Sequence, residues 1–202
     1  MAQESRPIDA LEVELKYSVS DFQMIRAALE RLGALGASLD WETDIYYAAP
    51  NRPFEQTDEA LRLRRSRDRL WLTYKGPRLD PHSKSRREVE VELHSSAFFD
   101  QAGILLEHLG YFPITSLYKE RTRFHLPWEG YEVTVSLDNV HQVGTFVELE
   151  TRVPETKLAE ARRALARLAA SLGLKDPERR SYLELYWDRL HQLPPNDLGP
   201  FV

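Results

Sequence analysis

The sequence predicts an α+β protein built on about eight antiparallel strands with amphipathic helices among them, and three observations lead there. Apolar and polar residues alternate with period two over much of the chain, as side chains do along a half-buried strand. Helical periodicity occurs in four stretches, three of them closed by Leu-Gly: Leu32-Gly33, Leu109-Gly110 and Leu172-Gly173. Strands and helices do not alternate strictly, which argues against a parallel doubly wound sheet and leaves a barrel or an α+β sandwich.

Residues 11–19 alternate and form the first expected strand. Ser20-Asp21-Phe22-Gln23 then has the spacing of a capping box. Phe22, Ile25, Leu29 and Leu32 follow at helical spacing, and Gly33 suits the C′ position. Residues 35–48 read as a second strand, and Ala49–Thr57, with Pro50, Asn51 and Pro53, as a loop. Residues 60–67 and 69–76 form a hairpin turning at Arg67–Arg69, and Pro77–Ser85 is a longer polar loop. A strand at 86–93 leads into a helix at 97–109, with Ala102, Leu105, Leu106 and Leu109 on one side. Three strands near 113–126, 131–138 and 145–152 are punctuated by Gly130 and Gly144. A helix over 155–172 carries the stripe Leu158, Ala161, Leu165, Leu168 and Leu172; a shorter one over 181–190 carries Tyr182, Leu185, Tyr186 and Leu190. Residues 193–202 read as a disordered tail, so one folded unit is expected over 1–192.

Composition narrows the chemistry. The 202 residues are 42% hydrophobic and 29% charged, with a net charge of −5 that gives no reason to expect a nucleic-acid partner. The absence of cysteine excludes disulfides, a thiolate nucleophile and Cys-bound zinc. The stretch MAQESRPIDALEVELK lacks the apolar core of a signal peptide, and no apolar run approaches the ~18 residues of a membrane span. A cytoplasmic protein with no membrane partner is expected. Phosphate-loop, GxGxxG, GxSxG and HExxH motifs are all missing.

The informative feature is which charges share a strand face. Glu12, Glu14 and Lys16 share one face against Val13, Leu15 and Tyr17. Arg62 and Arg64 oppose Leu61 and Leu63; Arg86, Glu88 and Glu90 oppose Val89 and Val91. Lys119, Arg121, Arg123 and His125 share a face, as do Glu132, Thr134, Ser136 and Asp138, and Glu148 with Glu150. Lys75 adds a further cation. One such strand is ordinary for a sheet with a wet side. Whole faces of like charge, segregated by strand, repel unless something opposite lies between them. A closed eight-stranded antiparallel barrel resolves this: helices cover its apolar outside, and the charges line a tunnel. There carboxylates suit Mg²⁺ or Mn²⁺, and Arg and Lys suit a polyphosphate.

These residues resemble the motifs of the CYTH superfamily, the triphosphate tunnel metalloenzymes. Glu12-Val13-Glu14-Leu15-Lys16 is similar to its first-strand ExExK signature. Arg62-Leu63-Arg64 resembles its paired-arginine strand, Tyr74-Lys75-Gly76-Pro77 its lysine strand and Arg86-Arg87-Glu88-Val89-Glu90 its Arg/Glu strand. Tyr118-Lys119-Glu120-Arg121 resembles its second basic strand, and Leu137-Asp138 followed by Phe146-Val147-Glu148-Leu149-Glu150 its closing acidic pair. The resemblance spans about 10–152 and implies a barrel that binds a triphosphate with Mg²⁺ or Mn²⁺. It implies metal ligation by Glu12, Glu14, Asp138, Glu148 and Glu150, and substrate binding by Arg62, Arg64, Arg86, Lys119 and Arg121. Lys16, Lys75, Glu88 and Glu90 are the implied catalytic residues. A class IV adenylate cyclase is the preferred activity, because of Tyr74–Pro77 and an Arg180-Ser181-Tyr182 segment similar to that subgroup. Hydrolysis of thiamine triphosphate or tripolyphosphate is the alternative, and a non-catalytic polyphosphate-binding barrel the alternative of another class. Trp41, Tyr46, Tyr47 and Trp71 are the aromatic candidates for stacking on a base, although each also suits a core. A homodimer is compatible with the resemblance.

Overall fold

A computed structural model describes residues 10–79, 86–93 and 95–192. Its eight strands close into a barrel in the order β1-β5-β4-β3-β2-β6-β7-β8. They are β1 (Ala10–Ser18), β2 (Leu35–Ala48), β3 (Ala60–Ser66), β4 (Arg69–Arg78), β5 (Arg86–Leu93), β6 (Phe112–Trp128), β7 (Tyr131–Val140) and β8 (Gly144–Pro154). All eight neighbouring pairs are antiparallel. The helices are α1 (Gln23–Arg31), α2 (Phe54–Thr57), α3 (Phe99–His108), α4 (Leu158–Ser171) and α5 (Tyr182–Leu190). No described helix is long and apolar enough to cross a membrane.

Period two explains the closure. Val13, Leu15, Val135, Val147 and Leu149 turn outward beneath α1 and α4, meeting Ile25, Leu29, Ala161, Leu165 and Leu168. Tyr47, Leu61, Leu63 and Leu70 turn outward beneath Phe99 and Leu106 of α3. Full burial of each such aliphatic side chain contributes about 1.5–3 kcal/mol. A third cluster lies inside the barrel at one end: Tyr46, Leu117, Val140 and Phe146, covered by Tyr182 of α5. Tyr46 has the parity of Asp44 and Glu42, and Phe146 that of Glu148, so these apolar side chains point inward with the charges.

The Leu-Gly endings behave alike. At Gly33, Gly110 and Gly173 φ is +74°, +91° and +74°, a conformation that only glycine adopts without strain. In each, the glycine N–H and the next N–H reach back to the helix, as in Ala34 N–H to Leu29 O and Leu174 N–H to Ala169 O.

Several local expectations are corrected. The Ser20–Gln23 capping box does not form: α1 begins after Phe22 with no side-chain cap, and the Asp21 carboxylate accepts the Gln23 N–H at 2.8 Å. A real capping box occurs instead at α5, between Ser181 and Glu184. The loop over Ala49–Thr57 contains the single turn of α2. β4 extends to Arg78, shortening the loop expected at Pro77–Ser85, of which 80–85 lie outside the described residues, as does the expected tail at 193–202.

The seam of the barrel is thin. β1 and β5 share one register pair, Glu12 with Arg86, whereas β1 and β8 run together from Ala10 to Ser18. Further along β1, the chain after α4 returns: Tyr17 bridges Pro177, and the Glu178 N–H donates to Lys16 O at 2.7 Å.

Candidate active site

The barrel encloses a cavity of about 430 Å³. Twelve of the fourteen expected site residues line it: Glu12, Glu14, Arg62, Arg64, Lys75, Arg86, Glu88, Glu90, Lys119, Arg121, Glu148 and Glu150. The other two, Lys16 and Asp138, are buried behind its surface. All fourteen share the inward parity of their strands. Barrel closure brings them together because β1, β5 and β8 adjoin on one wall and β3, β2 and β6 on the other.

The first wall is mainly acidic. Lys75 is ion-paired with Glu88, and its Nζ lies 3.7 Å from Glu12. Arg152, which the sequence analysis passed over, donates to Glu12 at 3.0 Å. Burial opposes ionisation of Glu12, but Lys75 and Arg152 outweigh it and hold its carboxyl down at about 2. Its hydrogen-bonded neighbour Glu150 behaves oppositely: burial and the charge of Glu12 push it well above the usual carboxylate range. Burial likewise raises Glu88, against Lys75.

The second wall is basic with an acidic strand at its centre. Arg64 forks onto Asp44, Nε to Oδ1 at 2.6 Å and Nη2 to Oδ2 at 2.8 Å, and its Nη1 lies 3.1 Å from Glu42. Lys119 bridges Glu42 and Asp44 at 2.9 and 3.1 Å. Arg62 lies 3.8 Å from Asp44; Arg123 meets Asp40 at 2.8 Å and also pairs with Glu42. Asp40, Glu42 and Asp44 are all buried. Buried ions persist only where paired like this. The Arg64, Lys119 and Arg121 charges hold Glu42 well below its ordinary value despite burial. Burial and the nearby Arg64 charge lower Lys119.

This β2 row was not among the expected site residues. The signal was present: Asp40-Trp41-Glu42-Thr43-Asp44 alternates as the other strands do, with Trp41 on the outside and 66% exposed. Asp138, counted as a metal ligand, sits at 0% exposure with Arg121 forked on its two oxygens, and the Tyr182 hydroxyl donates to it at 2.7 Å. Among the aromatic candidates, Tyr47 is buried under α3 and Tyr46 belongs to the inner apolar cap. Tyr46 and Tyr47 also line the main cavity, whereas Trp71 lines a second cavity of about 450 Å³ at the β3–β4 turn. His125 lines the main cavity and is exposed; His82 lies outside the described residues.

The donor set fits a hard divalent cation. Glu12 and Glu150 face each other within hydrogen-bonding reach inside the cavity, and burial with the Glu12 charge raises Glu150 well above the usual carboxylate range. Among the described residues, no three acidic or histidine side chains converge as a complete ligand cage. Mg²⁺ commonly binds through one or two carboxylates and completes its shell with water and substrate phosphate.

The sequence model of the CYTH domain family matches residues 10–182. The chain belongs to the CYTH family. It is 30% identical over 179 residues to a Methanocaldococcus jannaschii protein provisionally named an adenylate cyclase, covering 87% of this chain and 98% of that one. Among solved structures, a Pyrococcus horikoshii protein is 37% identical with a TM-score of 0.78, covering 88% of this chain and 99% of its own. A Vibrio parahaemolyticus protein, also provisionally named an adenylate cyclase, is 28% identical with a TM-score of 0.72, covering 87% and 97%. The CYTH match covers every strand and reaches Tyr182, so it includes the returning segment at 177–182 as well as the barrel.

Proposed function

We propose that this CYTH protein is a metal-dependent enzyme acting on a triphosphate inside its tunnel, with ATP cyclisation as its reaction. One observation carries the reading: an acidic wall bearing Glu12, Glu14 and Glu150 faces a basic wall bearing Arg62, Arg64 and Lys119 across one enclosed cavity. A plain anion-binding barrel needs the cations alone, and the carboxylates opposite them call for a metal. Mg²⁺ or Mn²⁺ held by Glu12, Glu14, Glu148 and Glu150 supplies charge neutralisation at the phosphate oxygens. Arg62, Arg64, Arg86, Lys119 and Arg121 orient the triphosphate, since phosphoryl and nucleotidyl transfer depend on positioning and charge neutralisation.

In cyclisation the ribose 3′-oxygen attacks the α-phosphorus, the bond to the bridging oxygen breaks, and pyrophosphate leaves. The hydroxyl proton passes to a carboxylate of the acidic wall, a role this reading gives to Glu88 or Glu90. Lys75, beside Glu88 and Glu12, balances charge on that side. The two provisional cyclase names among the relatives support this choice. The competing reaction, attack of water on the terminal phosphorus, uses the same walls.

The test is product analysis with ATP, tripolyphosphate and thiamine triphosphate, each with Mg²⁺ and Mn²⁺. Cyclic AMP with stoichiometric pyrophosphate from ATP is expected. Orthophosphate release without cyclic AMP would replace cyclase by triphosphatase, and no turnover of any substrate would leave a binding barrel. Glu148→Gln is expected to abolish turnover with a smaller loss of triphosphate affinity.

A further inference from the structure

The wall of the tunnel is not made by the barrel alone. After α4 the chain returns to the barrel rim and inserts Tyr182, the first residue of α5, above the inner apolar cap. Tyr182 is 8% exposed and packs on Phe146 with ring centroids 5.1 Å apart. Its ring lies 4.0 Å from the Nζ of Lys16 and 5.7 Å from that of Lys119. Lys16 Nζ also donates to the Arg180 carbonyl, two residues earlier, at 2.5 Å. The Tyr182 hydroxyl donates to Asp138 Oδ2 at 2.7 Å. Asp138 in turn accepts Arg121 Nε at 2.6 Å, and Arg121 Nη2 reaches Glu148 at 2.5 Å.

One side chain from outside the barrel therefore reaches two site cations by two routes: Lys16, among the catalytic candidates, directly, and Arg121, assigned to the triphosphate, through Asp138. The face of its ring stabilises the Lys16 ammonium. Its hydroxyl occupies a lone pair of Asp138, so that this carboxylate, served among the described residues otherwise by Arg121, does not draw the guanidinium back from the cavity. Hydrogen bonds to a buried carboxylate are of the strong, charge-assisted class, and losing one leaves the acceptor short of a donor.

We propose that Tyr182 is a positioning residue for polyphosphate binding, setting Arg121 through Asp138 and Lys16 through its ring. This rests on the reading of the tunnel as a triphosphate site. It makes the 177–182 segment a structural part of that site, with Tyr182 at the start of α5 fixing Arg121 at the cavity and Lys16 behind it.

The test uses the full-length protein and inorganic tripolyphosphate without metal, so that binding is read apart from turnover. Calorimetric Kd is measured for wild type, Tyr182→Phe, Tyr182→Leu, Asp138→Asn and the Tyr182→Phe/Asp138→Asn pair, with Tm recorded for each. Tyr182→Phe keeps the ring and is expected to weaken binding by about tenfold, the effect of one charge-assisted hydrogen bond. Tyr182→Leu, which also removes the ring over Lys16, weakens it further. On the Asp138→Asn background, Tyr182→Phe adds little, because both changes cut the same route. Wild-type affinity in Tyr182→Phe and Tyr182→Leu, whatever their Tm, overturns the proposal, as does full additivity with Asp138→Asn. Failure of the wild type to bind tripolyphosphate without metal removes this inference; failure to bind it with Mg²⁺ or Mn²⁺ as well removes the function it rests on.

Discussion

At the level of single residues, the Glu12–Glu150 pair carries the clearest consequence for pH. Glu150 is raised well above the usual carboxylate range, so its protonated form favours the fold. That contribution is fully present below the unfolded value near 4.5 and is lost as pH rises through the folded value. Metal needs the ionised form, so Mg²⁺ or Mn²⁺ binding should release a proton and tighten with rising pH. Calorimetry in buffers of different ionisation enthalpy reads the release directly; Glu150→Gln should abolish it, and an unchanged proton count in that variant would assign the proton elsewhere. Glu12, at about 2, has the opposite sign: its contribution is present above pH 4.5 and is lost as pH falls toward 2. Asp44 supports a second prediction, because Arg64 and Lys119 both lean on it. Asp44→Asn should lower stability by about 3 kcal/mol, the cost of breaking a buried pair. Tripolyphosphate should stabilise this variant more than the wild type, since its charge replaces the one removed. Equal ligand-induced shifts in urea midpoint would show that Asp44 is not the counter-ion of those two cations.

Among the elements, α4 shows how stability and binding separate. Its Leu165 is fully buried in a helix packed on β1 and β8, on the outer side of strands whose inner side bears the site. Leu165→Ala should cost 2–5 kcal/mol by cavity formation. Gly173→Ala, at φ +74°, should cost about 1–2 kcal/mol through backbone strain. Both should leave tripolyphosphate Kd near the wild-type value, and a tenfold change in either would mean that the outer layer and the tunnel are mechanically coupled. The same two-sidedness made the elements readable in sequence. Leu61-Arg62-Leu63-Arg64 announces a strand with one dry and one charged face, and Leu172-Gly173 announces a helix end. The Ser20–Gln23 spacing makes no capping box because the chain turns helical only after Phe22, which has no side-chain cap, and the Gln23 N–H goes to Asp21 instead. The β2 acids were legible by the same alternation but carry no function in isolation; they acquire one because β2 lies between the basic strands β3 and β6.

Across the whole molecule, the tunnel is a set of opposed charges held in place by a ring of backbone hydrogen bonds with a thin seam at β1 and β5. A polyanion bound between the walls should stabilise the fold by about 2.7 kcal/mol at a hundredfold excess over Kd. The gain should shrink with ionic strength, since part of the cavity is open to screening ions. Arg62→Ala should remove most of this stabilisation in a thermal-shift experiment. Its persistence at wild-type size would place the anion outside the tunnel.

The sequence by itself determined which side chains share a strand face, where three helices stop, and that fourteen cations and carboxylates share the inward parity of their strands. Those are local properties, fixed by the period-two geometry of a strand and by the freedom of glycine at positive φ. Only the tertiary structure decided that Asp40, Glu42 and Asp44 neutralise the basic wall, that Asp138 serves Arg121, and that Tyr182 reaches the lumen. Arg121 with Asp138 and Arg64 with Asp44 are set by the register of neighbouring strands, whereas the β2–β6 pairs and the approach of Tyr182 join residues far apart in the chain and depend on strand order.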